Sequence, residues 1–224
     1  MKEKVLFAWS SGKDSARAFF ELKQDTRYEI AGLMTTVTEG YERVSMHGVR
    51  LALLEQQAEA MGMPLEKVYI PRESSNESYE TAMRNCLFSH KAHGVSAVAF
   101  GDLFLEDLKT YREKKLSEVG MKAVFPLWKR DTKELARSFV RLGFKAVVTC
   151  VDSQALDGGF AGRLYDERFL EDLPASADPC GENGEFHTFV YEGPIFNRPV
   201  SFERGGIVVR ENRFYFCEIA PSYA

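Results

Sequence analysis

Two short stretches of this 224-residue chain collect side chains able to do chemistry. Ser10-Ser11-Gly12-Lys13-Asp14-Ser15 sets three hydroxyls, an ammonium and a carboxylate around one glycine. Small residues let a ligand approach backbone N–H groups, and Lys13 adds a full positive charge, so the pattern suits phosphate. The second stretch, Asp178-Pro179-Cys180-Gly181-Glu182-Asn183-Gly184-Glu185-Phe186-His187-Thr188, crowds a thiol, two glutamates and an imidazole together. Such groups could coordinate a cation or exchange protons as acid and base. Each stretch also has a plain reading: a strand-to-helix turn with a capping serine, and a solvated acidic loop.

The elements that must position these residues follow from the apolar spacing. Val5 to Trp9 reads as a strand, and Ser15, Ala18, Phe19 and Leu22 share one face of the helix after the turn. The N-terminus of that helix supplies unpaired N–H groups and partial positive charge. Further apolar strands are expected at Tyr28–Thr36, Lys67–Pro71, Val95–Phe100 and Lys122–Phe125. Helices lie between them: one from about His47 to Gly62, one capped by Ser75 or Asn76 and ending at Gly94, and one over Glu106–Val119. The polar run 36–46 is long for a connection and reads as a binding loop or lid. Strands without polar alternation, separated by helices, imply an α/β fold with a doubly wound parallel sheet. Ligands in such sheets sit beyond the strands' carboxyl ends, where both the Ser10–Ser15 loop and Gly101-Asp102 fall.

After Leu127 the pattern changes. Asp131 with Glu134 resembles a capping box, opening a helix that runs to Gly143, and Phe144–Val151 is another strand. Residues 152–188 are weakly periodic. The tail then reads as β-rich, with strands at Phe189–Glu192, Val200–Phe202, Gly206–Arg210 and Arg213–Ile219. A boundary is placed at 127, giving a nucleotide-binding part (1–127) and a smaller C-terminal α+β part (128–224).

Bulk composition is that of an ordinary soluble protein, 45% hydrophobic and 28% charged. A net charge of −4 gives no electrostatic footprint for nucleic acid. No apolar run reaches a membrane span, and no signal-peptide core is seen at the start. Cys86, Cys150, Cys180 and Cys217 are scattered without a C-x-x-C pair, as expected of reduced thiols in a cytoplasmic protein. Cys86 and Cys217 read as core thiols, and His90 and His93, near a helix end, as structural.

The first stretch resembles the S-G-G-x-D-S loop of the PP-loop ATP pyrophosphatases, with Ser11 in place of the family's first glycine. If that position needs positive φ, Ser11 carries strain there. The loop, Ser45-Met46-His47, Pro126-Leu127-Trp128, Leu164-Tyr165-Asp166 and C-G-E-N-G-E-F-H-T with Gly193-Pro194-Ile195-Phe196 together resemble the diphthine–ammonia ligase family. The resemblance implies an adenine nucleotide α-hydrolase-like domain followed by a smaller one carrying C-G-E-x-G-E. It also implies ATP with Mg²⁺ as cofactors, ammonia as a substrate, and a carboxylate acceptor such as diphthine on elongation factor 2. On that basis Ser10, Ser11, Gly12, Lys13, Asp14 and Ser15 hold the phosphates, and Leu33, Met34 and Thr35 frame adenine. Asp14 is the candidate Mg²⁺ ligand. Lys13, Asp14, Glu182 and Glu185 are the catalytic candidates, the two glutamates taking a proton from ammonium. His47, Asp102, Cys180, Gly181 and His187 are the substrate-side candidates. Two competing functions are a nucleic-acid-modifying PP-loop enzyme such as a tRNA thiolase, and a non-catalytic ATP or AMP sensor. Assembly into a homo-oligomer is left open.

Overall fold

The computed structural model describes residues 2–40, 49–72 and 75–222. Its first sheet has five strands: β1 (Glu3–Ala8), β2 (Tyr28–Thr38), β3 (Leu65–Ile70), β4 (Val95–Ala99) and β5 (Lys122–Val124). They are parallel and ordered β3-β2-β1-β4-β5. Helices α1 (Lys13–Gln24), α2 (Leu51–Met61), α3 (Asn76–Ala92) and α4 (Glu106–Glu118) connect them. The chain winds outward from β1 in one direction, then returns to β4 on its other side. The carboxyl ends of β1 and β4 therefore flank the switch point where open α/β sheets bind ligands. The doubly wound α/β reading stands.

A second sheet is antiparallel and ordered β7-β6-β9-β8. It comprises β6 (Lys145–Asp152), β7 (Phe186–Glu192), β8 (Phe202–Arg210) and β9 (Phe214–Pro221). Helix α5 (Thr132–Arg141) precedes it, capped by the Asp131 carboxylate accepting from the Glu134 N–H. Three differences from the sequence reading stand out. The weakly periodic segment holds a 3₁₀ turn at Gly158–Phe160 and a helix α6 (Glu167–Asp172). Strand β7 begins three residues early, at Phe186, taking His187 and Thr188 out of the loop. The two short strands expected around 200–210 are one, β8, whose register shifts between Arg204 and Ile207.

One apolar core runs through both sheets, joining Val5, Phe7, Phe19 and Leu22 to Phe139, Phe144, Val148, Phe169 and Phe186. Helix α1 is wedged inside it. That position explains why α1 buries not only the expected Ser15, Ala18, Phe19 and Leu22 but also Lys13, Ala16 and Arg17. A second cluster lies under α3 and α4, around Leu6, Val98, Phe100 and Leu116. Among the described residues no helix is long and apolar enough to cross a membrane.

Candidate active site

The phosphate-type loop leaves β1 after Trp9 and enters α1 at Lys13. Ser11 lies at φ +70°, the left-handed conformation that the missing glycine would adopt freely. Its hydroxyl is buried without a hydrogen-bond partner. What holds Ser11 there comes from elsewhere in the chain: its carbonyl accepts from the Val190 N–H (3.0 Å) and from Gln57 Nε2 (3.1 Å). The same Gln57 amide donates to the Val190 carbonyl (2.6 Å), and its oxygen accepts from Trp9 Nε1 (2.9 Å). The Lys13 N–H donates to Thr188 Oγ1 at 3.0 Å. Ser10 donates to Ser15 (3.0 Å), and Ser15 donates to the Gly12 carbonyl (3.0 Å). Gly12 itself provides no side-chain cap for α1. Gly101, at the end of β4, lies so close that a Cβ there would approach Ser15 N to 2.9 Å. Only glycine lets the chain leaving β4 come this close to the first turn of α1.

Across from this loop, residues 178–188 form a compact turn leading into β7. The Glu185 carboxylate is its internal anchor. It accepts from the Asp178 N–H (2.8 Å), the Asn183 N–H (2.9 Å) and Asn183 Nδ2 (2.9 Å). Glu185 is only 2% exposed. Burial would raise its carboxyl, but the Asp178 N–H and the Asn183 side chain outweigh that and hold it below its ordinary range. Asp178 adds to the turn, accepting from the Cys180 N–H (2.8 Å) and from Thr132 Oγ1 (2.7 Å). The Tyr165 hydroxyl donates to the Pro179 carbonyl at 2.7 Å.

The two segments line one cleft of about 660 Å³. Its polar end carries Ser10, Gly12, Lys13, Asp14, Ser15, Asp102, Cys180, Gly181, Glu182, His187 and Thr188, with Met34 and Thr35 on the wall. An apolar arm extends between α3 and α4, along Tyr79, Met83, Leu87, Leu108 and Tyr111. Lys13 is buried at the junction: its ammonium pairs with Asp14 (2.8 Å), donates to the Cys180 carbonyl, and lies 5.3 Å from the centre of the Phe186 ring. Burial opposes that charge, but Asp14 prevails and the Lys13 pKa is raised. Glu182 responds in the opposite sense to an ordinary surface carboxyl. Burial first, then the Asp14 charge, push it up to about 7, with Lys13 offsetting part of the shift. Burial and the Lys13 charge lower His187, which favours neutral imidazole. Asp102 is raised by burial, with the Arg112 charge opposing and Asp14 adding to the shift. It pairs with Arg112 at 3.2 Å without hydrogen-bond alignment, and Arg112 stacks 4.0 Å over the Phe100 ring.

The structure thus brings most of the residues singled out by type and spacing to one cleft, and leaves Ser11, Leu33 and Glu185 off its lining. Glu185 does not line the cleft, because its lone pairs are committed inside the turn. Leu33 is fully buried and its N–H is donated to the Pro64 carbonyl (2.8 Å), while Met34 and Thr35 remain at the wall. His47 lies outside the described residues. The buried Cys180 thiol points at the Thr132 carbonyl (3.4 Å) and is raised by burial, which makes it a packing group rather than a nucleophile. Gln57 and Arg112 carry the site without having been anticipated, and Tyr165 and Thr188 stood in the quoted motifs without a role assigned to them. Thr188 had the clearest signal, standing as the last residue of the acidic stretch.

Comparison with known proteins agrees in order and extent. The family model for the diphthamide synthase N-terminal domain matches residues 1–123, and that for the diphthamide synthase C-terminal domain matches residues 131–219. A Schizosaccharomyces pombe protein named diphthine–ammonia ligase is 24% identical over 220 residues, covering 88% of this chain. Similar proteins of the same name occur in Homo sapiens, 19% identical over 77% of this chain, and in Danio rerio, 25% identical over 69%. The chain spans 36% of the length of the yeast relative, 66% of the human one and 67% of the zebrafish one.

Proposed function

The chain belongs to the diphthamide synthase family, and from that premise we propose that it is an ATP-dependent carbon–nitrogen ligase. In this reading residues 1–127 hold the nucleotide and residues 128–224 bring the amine side to it. A carboxylate oxygen of the acceptor attacks the α-phosphorus of ATP, the bond to the β-phosphate breaks, and pyrophosphate leaves. Ammonia then attacks the acyl carbon and AMP departs. The acceptor is diphthine or a related acid, as the relatives' names suggest.

The observation that carries this reading is the meeting of the two loops, with Lys13 N–H on Thr188 and Glu182 facing the same cleft. The amides of Ser10, Gly12, Asp14 and Ser15, which line the cleft, together with the Lys13 ammonium, supply the anion-binding surface for the polyphosphate. Asp14 keeps a carboxylate 32% exposed at the cleft, which fits a Mg²⁺ ion shared between one carboxylate and substrate phosphates. Bound there, the ion would offset phosphate charge. Ammonium must lose a proton before it attacks, and a carboxylate with a pKa of about 7 suits that transfer near neutral pH. Glu185 acts only by positioning Glu182 through the turn. Among the described residues Cys180 is the only thiol lining the cleft, which disfavours a thiolase with a cysteine pair.

The test is a coupled assay of AMP and pyrophosphate from ATP, ammonium and a diphthine-bearing acceptor. Lys13→Met should abolish both products. Release of ADP and phosphate by the wild type would overturn the α–β cleavage. ATP binding without turnover on any acceptor offered would favour the sensor reading.

A further inference from the structure

Outside the cleft lining, three side chains with metal-binding atoms converge where α3 packs on β3. Cys86 and His90 stand one turn apart on the same face of α3. Glu66 reaches them from β3. One ligand atom from each lies within 4.8 Å of the others, and His90 Nε2 is 3.6 Å from Glu66 Oε2. A tetrahedral zinc ion with bonds of about 2.0–2.3 Å holds its donors roughly 3.3–3.8 Å apart. Modest side-chain rotation would close the set around an ion. A surface ion pair accounts for Glu66 and His90, and core packing accounts for the half-buried Cys86, but neither requires the thiol to lie beside both of the other ligand atoms. Burial first, and then the Glu66 charge, push that thiol up to about 11, a cost that an ion must offset when it displaces the proton. Its sulfur also lies 3.7 Å from the Met34 thioether, adding a soft neighbour.

We propose that Glu66, Cys86 and His90 form a Zn²⁺ site with three protein ligands and an open fourth position. Thiolate, imidazole and carboxylate form a donor set of the type zinc accepts, and the thiol proton leaves to solvent on binding. The site is independent of the ligase reading, but it has a structural address relevant to it. It pins α3, whose Tyr79, Met83 and Leu87 line the apolar arm of the cleft, to the strand beside Met34.

The test titrates the full-length, chelator-treated protein with Co²⁺ and then Zn²⁺. One equivalent of Co²⁺ should produce a thiolate-to-cobalt band in the near ultraviolet and tetrahedral bands in the visible, all removed by Zn²⁺. Cys86→Ser should abolish the thiolate band, His90→Gln should weaken binding at least ~10-fold, and Cys217→Ser should leave both unchanged. A readout that needs no variant is alkylation of Cys86, followed by mass spectrometry, which stoichiometric Zn²⁺ should block. Absence of the band in the wild type, its survival in Cys86→Ser, or alkylation unaffected by Zn²⁺ would each overturn the proposal.

Discussion

The two loops that face each other in the cleft are held in opposite ways. The Ser10–Ser15 loop is fixed largely from outside, through Gln57, Thr188 and Val190, and it tolerates a strained Ser11 at its bend. The 178–188 turn is fixed mainly from within, by Glu185 and Asp178, with Tyr165 and Thr132 as braces. A self-contained turn can present Glu182 at a fixed position whatever the partner loop does. An externally held loop depends on the second sheet for its shape. The Ser10–Ser15 loop therefore belongs to the first sheet in sequence but to both in structure.

The sharpest way to test that contrast is at Glu182. Glu182→Gln should cut amide formation by about 10²–10⁴-fold and leave folding intact. Its folded pKa of about 7 lies above the ordinary 4.5, so the folded state retains a proton that the unfolded state has lost. Wild-type stability should accordingly fall relative to the variant as pH rises from 5 to 8, by about 2–3 kcal/mol. Denaturant midpoints that track each other across that range would remove the perturbed carboxyl. Gln57→Leu should strike the other loop. It strands Trp9 Nε1 and the Val190 carbonyl, and should cost about 3 kcal/mol, with ATP affinity lost more steeply than in any variant of the turn. If ATP binding survives while stability drops, the loop does not need its external support.

Glu185→Gln should cost about 1–3 kcal/mol at neutral pH. Because Glu185 is depressed when folded, that contribution is present above its ordinary 4.5 and is lost as pH falls through the folded value. Unfolding curves of wild type and variant should converge in acid; a gap that persists there would mean the carboxylate charge is irrelevant. The smallest effect is expected at Ser11→Gly, a gain of about 1 kcal/mol from relieved strain and a removed unpaired hydroxyl. A drop in melting temperature instead would show that the Ser11 hydroxyl is used.

The first sheet was legible because its strands are apolar runs punctuated by glycine, and because the β1–loop–α1 spacing has few alternatives. Gly62 ends α2 in the left-handed conformation, and Asp131 caps α5, as those residue types suggest. The second sheet was harder. β6 reads as the same apolar run as the parallel strands, although it pairs antiparallel on both sides. Helix α6 is only six residues long, too short for a period to emerge. In the site, Glu182 and Glu185 are the same residue type three positions apart. Which one faces the cleft is decided by the turn's backbone, and no side-chain pattern encodes it. Gln57 was invisible for a related reason, since a glutamine on an amphipathic helix gives no hint that three groups from two sheets converge on it.

The carbonyl of Ser11 takes its hydrogen bonds from Val190 and Gln57, and one of those donors is synthesised some 180 residues after the bend it stabilises. A nascent chain emerging from the ribosome would carry every residue of the anion cradle long before it carried the strut that shapes it. In the proposed reading, nucleotide capture would wait until the second sheet has been made, when the 178–188 turn is also in place.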